Sequence, residues 1–199
     1  MKRLNGYEKA QGYSDSERLP AGGYILRILN VDYVTNDHGD TIVLSFDIEE
    51  GEQKGFFAAN YKLQTGEDKK WKGTYRIRIP KDDGSEQDEW VMRRFKTIIG
   101  NFEDSNPGYQ WNWDEQTLKG KLIGALFNNK EYEFEGRHGF FTNCHSLVKA
   151  EKIRSGKFEI PADTQLKPKS SYMTGTPSAV GDGFMNIPDG IDDEGLPFN

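Results

Sequence analysis

A period of two runs through the early part of this chain and restricts it to extended structure. Ile42, Leu44, Phe46 and Ile48 alternate with Val43, Ser45 and Asp47, a spacing that separates a buried from a solvated face only when the backbone is a strand. Upstream, Gly22-Gly23 opens a second such stretch over residues 24–34, with Ile25, Leu29, Val31 and Tyr33 on one face and Tyr24, Leu26 and Ile28 on the other. The polar run 35–40, with Asn36, Asp37 and Gly39, has turn chemistry and joins the two stretches as a hairpin. A third extended region is split into residues 55–62 and 74–80. In the second piece Tyr75, Ile77 and Ile79 alternate with Arg76 and Arg78, and a charged loop over 65–73 separates the two.

The period then changes. Over residues 86–102, Trp90, Val91, Phe95, Ile98, Ile99 and Phe102 recur three and four apart, with Glu86, Asp88 and Glu89 first and Arg93, Arg94 and Lys96 later. This order suits the helix dipole, and the spacing predicts an amphipathic helix ending near Gly100. After Asn106-Pro107-Gly108, extended stretches over 119–135, with a bend at Asn128-Asn129, and 140–152 complete the order. Five strands with a helix between the third and fourth is the order of an OB-fold, a mainly β, partly open barrel that binds oligonucleotides or oligosaccharides. A β-sandwich or another small barrel with an incidental helix is the competing architecture.

Charge divides the chain at Pro161. Of the formal net charge of -6, residues 161–199 carry two Lys against six Asp and Glu, or -4, which leaves -2 on residues 1–160. Pro168, Gly175, Pro177, Gly181, Gly183 and Pro188 recur in that tail among Ser, Thr and Asp without periodicity, so it buries too little apolar surface to offset its ordering entropy. The expected organisation is a domain over 1–160 and a disordered acidic tail over 161–199. No apolar run is long enough for a membrane span, and Met1-Lys2-Arg3 leads into polar residues rather than a signal core. The expected setting is cytoplasmic.

An acidic total argues against nucleic acid only if the charge is evenly spread. Between Asn60 and Pro80 the basic residues Lys62, Lys69, Lys70, Lys72, Arg76 and Arg78 outnumber Glu67 and Asp68, and they interleave with Tyr61, Trp71 and Tyr75. Unpaired nucleic acid needs rings on which bases stack and cations along its phosphates, and this segment supplies both. Phe56 and Phe57, adjacent in an extended stretch, point to opposite faces, so one of the two is a better ligand candidate than the other, and the candidate binding residues include Phe57 and Tyr61. Arg27 and Arg137 extend the strip. A solvated strand face and ordinary core packing explain the same residues otherwise.

Other constellations carry less. Cys144 is the single cysteine, so no intramolecular disulfide forms and a zinc framework of several cysteines is excluded. Neighbouring Cys144 and His145 point to opposite faces of a strand, so no metal or other cofactor is expected. No Gly-rich phosphate loop of the GxxxxGK(S/T) type is present and no Ser, His and Asp combination stands out, and Asp82, Asp83, Glu86, Asp88 and Glu89 read as a turn and a helix start. No catalytic residue is assigned, and the chain reads as a binding protein rather than an enzyme.

Apolar character returns at the end, in Gly183-Phe184-Met185-Asn186-Ile187-Pro188 and in Asp192-Asp193-Glu194-Gly195-Leu196-Pro197-Phe198-Asn199. Such residues in an acidic tail read as contacts for a partner, with the carboxylates steering and Phe198 filling a pocket, the alternative being a solubilising tail whose apolar residues are chance. The segment from Asp192 to Phe198 resembles the acidic tip of bacterial single-stranded DNA-binding proteins. With Leu19-Pro20-Ala21-Gly22-Gly23-Tyr24 before the first strand, the chain is similar to the divergent members of that class found in phages and prophages. The resemblance implies an OB-fold, coating and protection of single-stranded DNA in replication and recombination, and docking on replication and recombination proteins through Asp192, Asp193, Glu194, Leu196, Pro197 and Phe198. Asn199, following Phe198, departs from the family's ending, and the stretch 103–117 with Tyr109, Trp111 and Trp113 departs from the family's domain; its rings are expected to cover a barrel end, with base stacking or a subunit contact as the alternatives. A homo-oligomer stays open, as do an RNA-, oligosaccharide- or protein-binding module and a phage recombination enzyme.

Overall fold

The computed structural model describes residues 18–36, 39–65, 67–134 and 136–166. β1 (Gly22–Asn36), β2 (Gly39–Ile48), β3 (Thr74–Arg78), β4 (Leu122–Phe134) and β5 (Arg137–Val148) pair antiparallel in one open sheet, in the order β3-β2-β1-β4-β5. Helix α1 (Phe56–Leu63) follows β2, α2 (Glu86–Ser105) lies between β3 and β4, and short α3 (Ala150–Arg154) follows β5. The mainly β character and the position of the long helix match expectation.

A bulge corrects the face assignment of β1. The pairing slips between Ile28↔Phe46 and Asn30↔Ser45, leaving Leu29 as the extra residue, and one extra residue reverses which parity points inward. Leu26 and Ile28 are buried before the slip and Val31 after it, while Leu29 is exposed. Ile25 therefore lies on the opposite face from Val31.

All five strands contribute to one apolar core. Leu26 and Val31 of β1, Phe46 of β2, Ile77 of β3, Phe127 of β4 and Leu147 of β5 join Phe95, Ile98, Ile99 and Phe102 of α2. Ser85 caps α2 by accepting from Asp88 N, and Glu86, Asp88 and Glu89 occupy its first turn. The helix passes through Gly100 and runs to Ser105, and Trp90, expected on the apolar face, is 57% exposed. β3 and β5 are the two edges of the sheet, and α2 touches both: Arg94 Nη2 donates to Tyr75 Oη of β3 at 3.1 Å and Asn101 Nδ2 to the Leu147 carbonyl of β5 at 3.1 Å.

Three segments differ from the expected elements. Residues 56–63 are helical instead of extended, because Gly55 takes a left-handed φ of 74° and the Asp47 carboxylate, not a residue at the helix start, accepts from the first helical N–H groups. Residues 150–154 form α3 instead of continuing β5. The Ala150 N–H goes to Ser105 Oγ at 2.9 Å, and α3 packs so closely on β4 that a Cβ at Gly124 would lie 2.8 Å from Ile153 Cγ1. Residues 161–166, placed in the tail by composition, lie along β4. Thr164 bridges Lys130 in parallel, and Asn128 Nδ2 donates to the Ala162 carbonyl at 2.8 Å and to Thr164 Oγ1 at 3.0 Å.

Among the described residues no helix is long and apolar enough to cross a membrane. The rest of the expected tail, 167–199, lies outside the described residues, and with it the docking residues Asp192, Asp193, Glu194, Leu196, Pro197 and Phe198.

Candidate nucleic-acid interface

An aromatic series leads from the core to the surface along α1. Phe57 is buried, 5.4 Å from Phe46 in an edge-to-face contact and stacked 6.4 Å from Phe127. This corrects its assignment as a ligand-facing ring: α1 turns Phe57 inward, and Phe56 packs on it edge-on at 5.3 Å. One turn further on, Tyr61 is 37% exposed, with the Trp71 ring 5.8 Å away and Lys69 Nζ 5.9 Å from its own centroid. The Trp71 indole N–H is shared between the carbonyls of Phe46, at 3.2 Å, and Gly73, at 3.1 Å. Gly73 permits this close approach, since a Cβ there would lie 3.0 Å from Trp71 Nε1 and would clash with the Phe46 carbonyl oxygen. Trp71 is thus partly buried and fixed, and Tyr61 is the more accessible ring.

The loop that carries the lysines is closed by reciprocal bonds. Gln64 Nε2 donates to the Lys70 carbonyl, and the Lys70 N–H donates to Gln64 Oε1, both at 2.8 Å. Lys62, Lys69, Lys70 and Lys72 are exposed, and none of them is in an ion pair among the described residues. Partial loss of water around the Lys72 ammonium, and after it the charge of Lys70, hold it below its ordinary value although the residue as a whole is exposed; an anion arriving between the two relieves that repulsion.

On β3 the expected alternation is present. Tyr75 and Ile77 are buried, and Arg76 and Arg78 are exposed on the other face, opposite Val43 and Thr41 of β2. Arg27 is different. Its Nε donates to Glu49 Oε2 at 2.8 Å and its Nη1 to the Gly120 carbonyl at 3.0 Å, which commits the guanidinium to a structural pair. The bond from Arg27, then that from Lys54, pushes the Glu49 carboxyl down to about 2.

Arg137 belongs to a second surface. The pairs Lys130↔Phe141, Tyr132↔Gly139 and Phe134↔Arg137 put two cations and three rings on one face of the β4–β5 hairpin, while Glu131↔Phe140 and Glu133↔His138 occupy the other. The Tyr132 ring lies across Gly139, where a Cβ would come within 2.8 Å of its hydroxyl, and is 6.3 Å from Phe141. The hairpin leaves the sheet just beyond Phe127, the residue on which Phe57 stacks. Lys130, Tyr132, Phe134 and Phe141 were not singled out from sequence, although the period of two over 130–134 separates rings and Lys from Glu131 and Glu133.

The rings of the stretch 103–117 differ in their surroundings. Tyr109 and Trp111 lie against the core, the latter edge-on to Phe95 at 6.2 Å, whereas Trp113 is 81% exposed. Cys144 packs against the core, and burial pushes its thiol up. His138 Nε2 is 3.9 Å from Glu133 Oε1. Among the described residues no three His, Cys, Asp or Glu side chains gather as metal ligands. The chain matches no family model and no curated protein.

Proposed function

We propose that this chain is a single-stranded DNA-binding protein of phage or prophage type, built on an OB-fold barrel. The observation that carries the reading is the placement of exposed Tyr61 beside Lys69 and Trp71, with Lys62, Lys70, Lys72 and β3's Arg76 and Arg78 on the adjoining elements. Rings on which bases stack, bordered by cations that meet phosphates, suit a flexible unpaired strand and not a rigid duplex. The hairpin face with Lys130, Tyr132, Phe134, Arg137 and Phe141 adds a second surface of the same composition. The barrel reading rests on the strand order, on the core shared by five strands and on α2 holding both sheet edges.

Coating and protecting single-stranded DNA in replication and recombination follows, with no catalytic step of its own. The acidic end, Asp192, Asp193, Glu194, Leu196, Pro197 and Phe198, supplies the docking peptide for partner proteins and, having the sign of phosphate, competes with DNA for the cationic surfaces. Binding of oligo-dT, of the matching RNA, of duplex DNA and of an oligosaccharide to the full chain tests the reading. Tight binding of oligo-dT alone supports it; preference for RNA or for sugar, or cleavage of the DNA with magnesium, assigns the chain to another class.

A further inference from the structure

Two tryptophans that belong to neither cationic surface are largely exposed, Trp90 at 57% and Trp113 at 81%. Their surroundings distinguish them. Trp113, with a left-handed φ of 66°, stands between Asn112 and Asp114, with Glu115 next, and carboxylates beside a ring disfavour phosphate. Trp90 lies in the first turns of α2, and the guanidinium carbon of Arg94 is 5.5 Å from its centroid. The same guanidinium is fixed by its bond to Tyr75 Oη on β3, and the opposite face of β3 presents Arg76 and Arg78. The first turn of α2 is tied to the loop that follows β3 by the Lys81 N–H, which donates to Asp88 Oδ1 at 2.7 Å, and the neighbouring Glu89 is paired with Arg93 at 3.1 Å. β3 is an edge strand, so no further strand separates Arg76 and Arg78 from α2.

We infer that Trp90 is a base-stacking residue held by Arg94, so that a single strand following Arg76 and Arg78 turns over the open edge of β3 onto α2. This rests on the reading of the chain as a single-stranded DNA-binding protein. A guanidinium on one face of an indole leaves the other face for a nucleobase, and the bond to Tyr75 sets the ring before the ligand arrives, which lowers the entropy lost on binding.

The test uses the full chain labelled with fluorotryptophan, the Trp90 resonance being assigned by its loss in Trp90→Phe, and an oligo-dT of about 16 nucleotides. On saturation the Trp90 resonance shifts and that of Trp113 does not; Trp90→Ala weakens binding about tenfold, and Trp90→Phe restores most of it. If oligo-dT binds and Arg76→Ala with Arg78→Ala weakens it, while the Trp90 resonance and the Trp90→Ala affinity are unchanged, the inference is overturned and the DNA-binding reading stands. A shift at Trp113 in place of Trp90 also overturns it. No binding of oligo-dT by the unaltered chain overturns both.

Discussion

The carboxylate of Asp47 accepts the backbone N–H of Phe57 at 3.0 Å. The same oxygen accepts from Ile48 N at 2.8 Å, and its other oxygen accepts from Ala58 N at 3.0 Å. Asp47 is buried, so these donors take the place of its water, and the carboxylate does for α1 what a capping side chain at the helix start otherwise does. Because Phe57 fills the core one turn before Tyr61, a bond made at the end of β2 positions the exposed ring of the strip.

Removing that carboxylate leaves buried N–H groups without an acceptor. Asp47→Ala is expected to lower stability by about 1–3 kcal/mol, read as a shift of the urea midpoint at unchanged slope, and to loosen α1 so that the amides of Phe57 and Ala58 lose protection against hydrogen exchange.

Phe57 and Tyr61 are expected to separate stability from binding. Phe57→Ala leaves a cavity between Phe46 and Phe127 and should cost about 3–5 kcal/mol of stability. Tyr61→Ala, at an exposed ring, should change stability by less than about 0.5 kcal/mol while weakening oligo-dT binding by about 1–3 kcal/mol. Thermal unfolding and fluorescence titration of the two variants check this together.

Glu49 gives a dependence on pH with a definite sign. Its carboxyl is pushed from an ordinary value of 4.5 down to about 2 by Arg27 and Lys54, so the stabilisation is fully present above pH 4.5 and is lost as pH falls toward 2. Over that window Glu49→Gln should lose less stability than the unaltered chain, measured by denaturant unfolding at successive pH values.

The segment 162–166 acts as a strap on β4. The Thr164 N–H donates to the Asn129 carbonyl at 2.8 Å, the Glu131 N–H to the Thr164 carbonyl at 2.9 Å, and the Leu166 N–H to Glu131 Oε2 at 3.1 Å. Slow hydrogen exchange is expected at the amides of Thr164 and Glu131. Asn128→Ala, which removes two bonds to the strap, should release both amides without unfolding the sheet.

Strands were legible in the sequence wherever a local period was the cause. The alternation of Tyr75 and Ile77 with Arg76 and Arg78 stands in β3 as it reads, and the apolar spacing of α2 from Val91 to Phe102 does so too. What could not be read was set by partners far along the chain. α1 depends on Asp47, ten residues before Phe57; α3 depends on Ser105 and on the space left by Gly124; the strap depends on Asn128. Arg27 shows the same limit for the candidate site, since nothing near it in sequence reveals that Glu49 neutralises it.

Phosphates and bases are engaged together in the proposed complex, and a titration of the full chain with oligo-dT over a range of salt concentrations tests both. Tryptophan fluorescence should be quenched on binding, and the logarithm of the association constant should fall linearly with that of salt. Replacing Arg76 and Arg78 by Ala should reduce the slope by about 0.7 for each phosphate that is no longer neutralised. Binding without quenching, with an affinity indifferent to salt, would exclude both base stacking and phosphate neutralisation.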